Sequence, residues 1–179
     1  MAQTSTSKQP MLVDRPLHEA VAIGGAAGLT TPSNFNTPLG SGCAQLVNCI
    51  SNDGAAVDSV SVLTTEGATS TVTVLLFLSY ATDSALVSAV NTLPVASVTI
   101  PGGTIPGQRI HIPLPPLSVP VPQLAPASIG TSAYPSETDK KNTGLYVPAG
   151  KCLYVGVSTP ITSPSTATRI IVSAQGGFY

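Results

Sequence analysis

Charge is what this chain has least of. Lys, Arg, Asp and Glu together make up 8% of its residues, where an ordinary globular protein carries about 25%. Seven cations against eight anions leave a formal net charge of −1. No basic patch is left to release counterions from a phosphate backbone, so the composition gives nucleic-acid binding no support. Tryptophan is absent, and five tyrosines with three phenylalanines make up the aromatics. A sugar-stacking platform is poorly supplied, although tyrosine can serve in one. Cysteines number three, Cys43, Cys49 and Cys152. An odd count without a secretory leader reads as reduced thiols made in a cytosol, filling space as small hydrophobes. Cys43 and Cys49 are too far apart for the C-x2-C spacing of a zinc site. No Asn opens an N-x-Ser/Thr acceptor. No apolar run approaches the roughly 20 residues of a membrane-spanning helix. The expectation is a protein with neither a membrane nor a nucleic-acid partner.

Apolar residues are plentiful instead, at 42% with a mean hydropathy of +0.33. That argues against disorder, since disordered chains are poor in apolar residues and usually highly charged. Ser, Thr, Gly and Pro do the solvating. At 179 residues the chain is one domain, or one domain with extended arms. So few charges suit a protein whose surface is covered by neighbouring copies in an assembly.

The strongest local signal is residues 68–80, ATSTVTVLLFLSY. Val72, Val74 and Leu76 alternate with Thr71, Thr73 and Leu75 before the pattern passes into a continuous apolar run. This predicts a strand half-covered at one end and buried on both faces at the other. Residues 43–50 alternate as well, with Cys43, Gln45, Val47 and Cys49 on one face, and Asn52-Asp53-Gly54 follows as a turn. Residues 56–65 oppose Val57, Ser59, Ser61 and Leu63 to Asp58, Val60, Val62 and Thr64. Short connections between these three strands predict an antiparallel meander. Residues 81–90 are ambiguous between an edge strand and one helical turn capped by Asp83-Ser84. Further strands are expected over 94–100, over 109–114, on both sides of the Pro148-Ala149-Gly150 turn, and over 169–174. Residues 18–27 read as a helical turn or an extended piece. About eight short strands and little helix predict an all-β fold, an antiparallel β-sandwich or jelly-roll-like domain.

Two segments stand apart. Residues 1–40 are expected to form an extended N-terminal arm stiffened by Pro10 and Pro16, leaving 41–179 for the sandwich. A Pro-rich insertion at about 115–126 carries Pro115, Pro116, Pro120 and Pro122, which cannot sit in a central strand and favour polyproline II. Its Leu117, Val119, Val121 and Leu124 are too apolar for a solvated linker. An apolar arm lying on a neighbouring subunit fits both facts, and so does a loop buried against its own sandwich. Those ten residues, Pro10 and Pro16 with the eight of the insertion, are the candidate partner contacts.

No constellation carries chemistry. His18 and His111 lie far apart and outside any metal spacing, and no G-x-S-x-G elbow frames a serine near a hydrolytic His111. Residues 144–151 have one residue too many between the glycines for a phosphate loop, and Cys152 stands where Ser or Thr would hold magnesium. Glu137 and Asp139 sit beside Lys140 and Lys141 as a solvated loop. The expectation is no catalytic residue, no metal and no cofactor.

The order of strand and turn motifs resembles small β-sandwich structural proteins of tailed bacteriophages, of the head decoration or cement type. Gln45-Leu46-Val47 before the Asn52-Asp53-Gly54 turn and the hairpin-like VDSVSVLTTEGATSTVTVLLFLS carry the resemblance. So do Leu93-Pro94 leading into VTIPG, Leu145-Tyr146-Val147-Pro148-Ala149-Gly150 before LYVGVS, and the ending RIIVSAQGGFY. What the resemblance implies is a virion protein made in the host cytoplasm. It would bind the major capsid protein on the outer capsid surface, commonly as a homotrimer, and clamp neighbouring subunits. A tail-fibre or receptor-binding module recognising a host glycan is the alternative. A hydrolase using His111 is a more distant one.

Overall fold

The computed structural model describes residues 14–24, 34, 42–65, 71–114, 144–158 and 169–179. Among these residues nine strands form two antiparallel sheets packed face to face: β1 (Arg15–Gly24), β2 (Cys43–Asn48), β3 (Gly54–Thr64), β4 (Val72–Ser79), β5 (Thr92–Ile100), β6 (Arg109–Ile112), β7 (Leu145–Pro148), β8 (Cys152–Val157) and β9 (Arg169–Phe178). The first sheet runs β1-β9-β3-β6, with β7 also on β3, and the second runs β2-β8-β4-β5. The expected all-β sandwich is what the chain forms.

Alternation sets which side chains enter the interior. Val60 and Val62 of β3, Val72, Val74 and Leu76 of β4, and Val155 and Val157 of β8 meet between the sheets with Ile170 and Val172 of β9. Bulges then overrule simple parity. The β3–β9 register shifts between Val57 and Ser59, and one extra residue moves the side-chain pattern to the other face. Val57 therefore joins Val60 and Val62 in the core, although odd–even counting puts it opposite them. A second shift lies between Gln45 and Val47 of β2. It sends Cys49 into the interior while Cys43 packs on the outer side of the sheet, so the two do not share the face that alternation predicted. All three cysteines are buried, and none is in a disulfide.

The expected meander does not form. β2 pairs with β8, β3 with β9, β6 and β7, and β4 with β5 and β8. The connections from β2 to β3 and from β3 to β4 each deliver the chain to the opposite sheet. Asp53-Gly54 remains a tight corner: Gly54 has φ +127°, and a Cβ there would lie 2.8 Å from the Tyr146 hydroxyl. Gly150, at φ +75°, closes a turn in which the Lys151 amide donates to Pro148 at 3.1 Å. That turn too carries the chain between sheets, from β7 to β8.

The N-terminal arm also needs a correction. Residues 15–24 are a full strand, paired in unbroken register with β9 from Arg15 opposite Phe178 to Gly24 opposite Arg169. Leu17 and Ile23 reach the core. Glycines at 24 and 25 disfavour a long helix more than extended backbone, and β9 supplies a partner that local pattern could not name. The structure of β9 itself depends on a close approach, since a Cβ on Gly176 would collide with the Ala56 carbonyl.

Candidate interaction surface

Paired registers align Asn48, Cys152, Ser79 and Thr92 in one row across the second sheet. The connections beyond that row, residues 49–53, 80–91 and 149–151, therefore share one end of the sandwich. The longest of them is tied down by hydrogen bonds. Asp83 caps the 3-10 turn Ser84–Leu86, its carboxylate accepting from the Ala85 amide at 3.0 Å. Asn91 is the hub: its Nδ2 donates to the Leu86 carbonyl at 2.8 Å, and its Oδ1 accepts from the Ser88 amide at 2.9 Å. Ser79 Oγ donates to the Asn91 carbonyl at 2.9 Å. From the sheet, the Tyr154 hydroxyl donates to the Ala81 carbonyl at 2.8 Å.

This ordered segment turns Ala81 and Val87 inward, where they cover Leu75, Phe77, Tyr154, Cys43 and Cys152 on the outer side of the second sheet. It turns other apolar side chains outward. Val90 is 96% exposed, Tyr80 66%, Leu93 62% and Leu86 59%. Lys151 Nζ lies 4.1 Å above the Tyr80 ring, the only charge this cluster engages among the described residues. Four large apolar side chains held outward on a hydrogen-bonded backbone make this end of the sandwich the candidate contact surface. Beneath the segment, Gln45 Nε2 donates to the Tyr154 hydroxyl at 3.3 Å and approaches Cys152 Sγ at 3.2 Å. Burial, reinforced by the neighbouring Cys152, pushes the Tyr154 phenol up to about 12. The same two causes push the Cys49 thiol up to about 11. Neither group is poised for acid–base or nucleophilic work near neutrality.

The expected partner contacts are scattered differently. Pro16 is exposed on β1, opposite Gly177. Pro10, Pro115, Pro116, Leu117, Val119, Pro120, Val121, Pro122 and Leu124 lie outside the described residues. Their flanks are described: β6 and β7 sit one after the other along the same edge of β3, with Ile112 opposite Val60 and Leu145 opposite Val57. The described residues on either side of 115–143 thus lie close together on the first sheet. A cavity of about 330 Å³ opens there, lined by Asp58, Ser59, His111, Ile112 and Leu114 among others. A Ser, a His and an Asp are among its lining residues, but no hydrogen bond links any two of them among the described residues. His111 is exposed beside Ser61. Among the described residues, no cluster of three or more His, Cys, Asp or Glu is placed to hold a metal ion.

Sequence reading passed over Tyr80, Leu86, Val90 and Leu93. The available signal was four large apolar residues in and beside a segment whose Asp83-Ser84 and Asn91 favour caps and turns. Comparison with protein-family models, with curated proteins and with solved structures found no match to this chain.

Proposed function

We propose that the protein is a non-enzymatic structural component of a bacteriophage virion, a capsid decoration or cement protein. It binds the major capsid protein on the outer surface and bridges neighbouring subunits, and it self-associates as a homotrimer. The observation that carries this reading is the clamped segment 80–93 with its outward Tyr80, Leu86, Val90 and Leu93. A rigid apolar prominence on an almost uncharged sandwich suits docking onto another protein. Many identical weak contacts then add up through multivalency. The motif order over residues 43–179 supports the virion assignment, and the low charge suits a surface shared with neighbours.

The test is to count and locate the protein in purified particles, by quantitative mass spectrometry and imaging. Hundreds of copies spread over the capsid are expected. A handful at a vertex or tail would sink the decoration reading and favour a receptor-binding module, and absence from particles would end both. The double variant Leu86→Asp, Val90→Asp should fold yet fail to bind capsids; undiminished binding would remove the segment from the contact.

A further inference from the structure

Hydrogen bonds make residues 80–91 a closed unit. The Tyr80 amide donates to the Asn91 carbonyl at 3.1 Å, so the two ends of the segment meet. Within it, the Leu86 amide donates to Asp83 at 3.1 Å and the Val87 amide to Ser84 at 3.2 Å. The Asn91 side chain spans Leu86 and Ser88. A compact surface loop with joined ends and its own internal bonds is an Ω-loop. Further bonds tie it to the flanking Ser79 and Thr92. From across the sheet it is reached by the Tyr154 hydroxyl, on the Ala81 carbonyl, and by the Lys151 ammonium above the Tyr80 ring.

What the segment buries is separate as well. Ala81 and Val87 belong to the cluster on the outer side of the second sheet, and no residue of the segment belongs to the core between the sheets. Lifting it withdraws two small side chains and leaves the pairings of β2, β4, β5 and β8 in place. Lifting also rewets Leu75, Phe77 and Tyr154, so the closed state dominates. A unit held by few apolar contacts and mostly by its own backbone bonds opens at less cost than global unfolding. The thiols fall on the two sides of this division. Cys43 and Cys152 lie beneath the segment, whereas Cys49 faces the core between the sheets.

We infer that residues 80–91 are a hinged cover that opens from the native sandwich as one unit, baring Cys43 and Cys152 while Cys49 stays sealed. Tyr80, Leu86 and Val90 are presented outward together only while the cover is closed, so a partner seated on them holds it shut. That coupling rests on the contact proposed above; the opening itself does not.

Labelling the purified full chain with N-ethylmaleimide, read cysteine by cysteine through peptide mass spectrometry, tests this. Cys43 and Cys152 should react together, at least about tenfold faster than Cys49. Their rates should barely rise with urea below the unfolding transition, while Cys49 follows the steep urea dependence of global unfolding. One common rate for all three thiols, or one steep urea slope for all, overturns the cover and leaves the proposed function standing. So does fast reaction of Cys43 or Cys152 without the other. Tyr154→Phe, which removes the donor to Ala81, should quicken the pair about tenfold; an unchanged rate means that the thiols are reached by another route and overturns the cover too. Capsid-bound protein tests the coupling by itself. Docking should slow the pair, and undiminished labelling of protein that stays bound overturns the coupling while the hinge stands.

Discussion

The two outer faces of this sandwich are built on opposite terms. On the first sheet the outward positions include Ser59 and Ser61 of β3, Ser173 and Gln175 of β9, His18 of β1 and His111 of β6, joined in rows by the registers, with half-buried Leu63 and Ile171 in the next row. Ser61 and Ser173 share a hydrogen bond of 2.9 Å. On the second sheet the outward positions include Leu75, Phe77, Cys152 and Tyr154, all buried. Water can cover the first face. The second needs a cover made of protein, and the chain supplies part of it by folding residues 80–91 back over β4 and β8. The cost is that the same segment holds Tyr80, Leu86 and Val90 in solvent. An apolar outer face at one layer has become an apolar prominence at the next, and that transfer is why the proposed interaction surface lies at this end.

Mutation can break the contrast. The largest effect is expected at Phe77→Ala, which removes a fully buried ring from between sheet and cover and should cost about 3–5 kcal/mol in urea unfolding. A loss below about 1 kcal/mol would mean that the cover collapses freely and the second face is not a true core. Tyr154→Phe keeps the ring but leaves the Ala81 carbonyl without its donor, for an expected loss of about 1–3 kcal/mol. Proteolysis within residues 81–91 should quicken in the same variant.

Alkaline titration probes the same region. The Cys49 thiol is raised from 9.0 to about 11 and the Tyr154 phenol from 10.0 to about 12, burial being the main cause for both. Raised acids keep their protons longer in the folded state, so the unfolded chain ionises first. Stability should be full below about pH 9 and fall as pH climbs towards 12, by linkage. Melting temperatures that stay flat from pH 9 to 11 would contradict the burial of Cys49. The smallest effect belongs to the other face. Ser61→Ala, losing one half-solvated hydroxyl pair, should change stability by less than about 1 kcal/mol. A larger loss there would erase the distinction between the faces.

Individual strands were legible because alternation is a local property. β4, β5, β6 and β8 fall where Val, Ile, Thr and aromatic residues alternate, and Asp83 caps its turn as its type suggests. β8 even announced the two-faced burial: Cys152, Tyr154 and Gly156 alternate with Leu153, Val155 and Val157, leaving no polar face. Pairing was not legible. Asp53-Gly54 and Pro148-Ala149-Gly150 specify reversals, but a reversal of similar length can make a hairpin within one sheet or an arch between two. Only the competition of β9 for β3 and of β8 for β4 decides. Residues 18–27 read equally as a helical turn or an extended piece for the same reason, since an edge strand with Pro16, His18 and Glu19 has weak local pattern and takes its conformation from ten residues of β9.

What the amino-acid order determined alone is therefore the material: an all-β chain poor in charge, with strands and turns at legible places. Period-2 hydrophobicity and turn chemistry act over a few residues, and they are enough for that. Which strands pair, where bulges at Val57 and Gln45 switch the faces, and which apolar residues end up outside were decided by tertiary structure. Those outcomes depend on contacts between residues as distant as Ser61 and Ser173, whose energies no window of sequence contains.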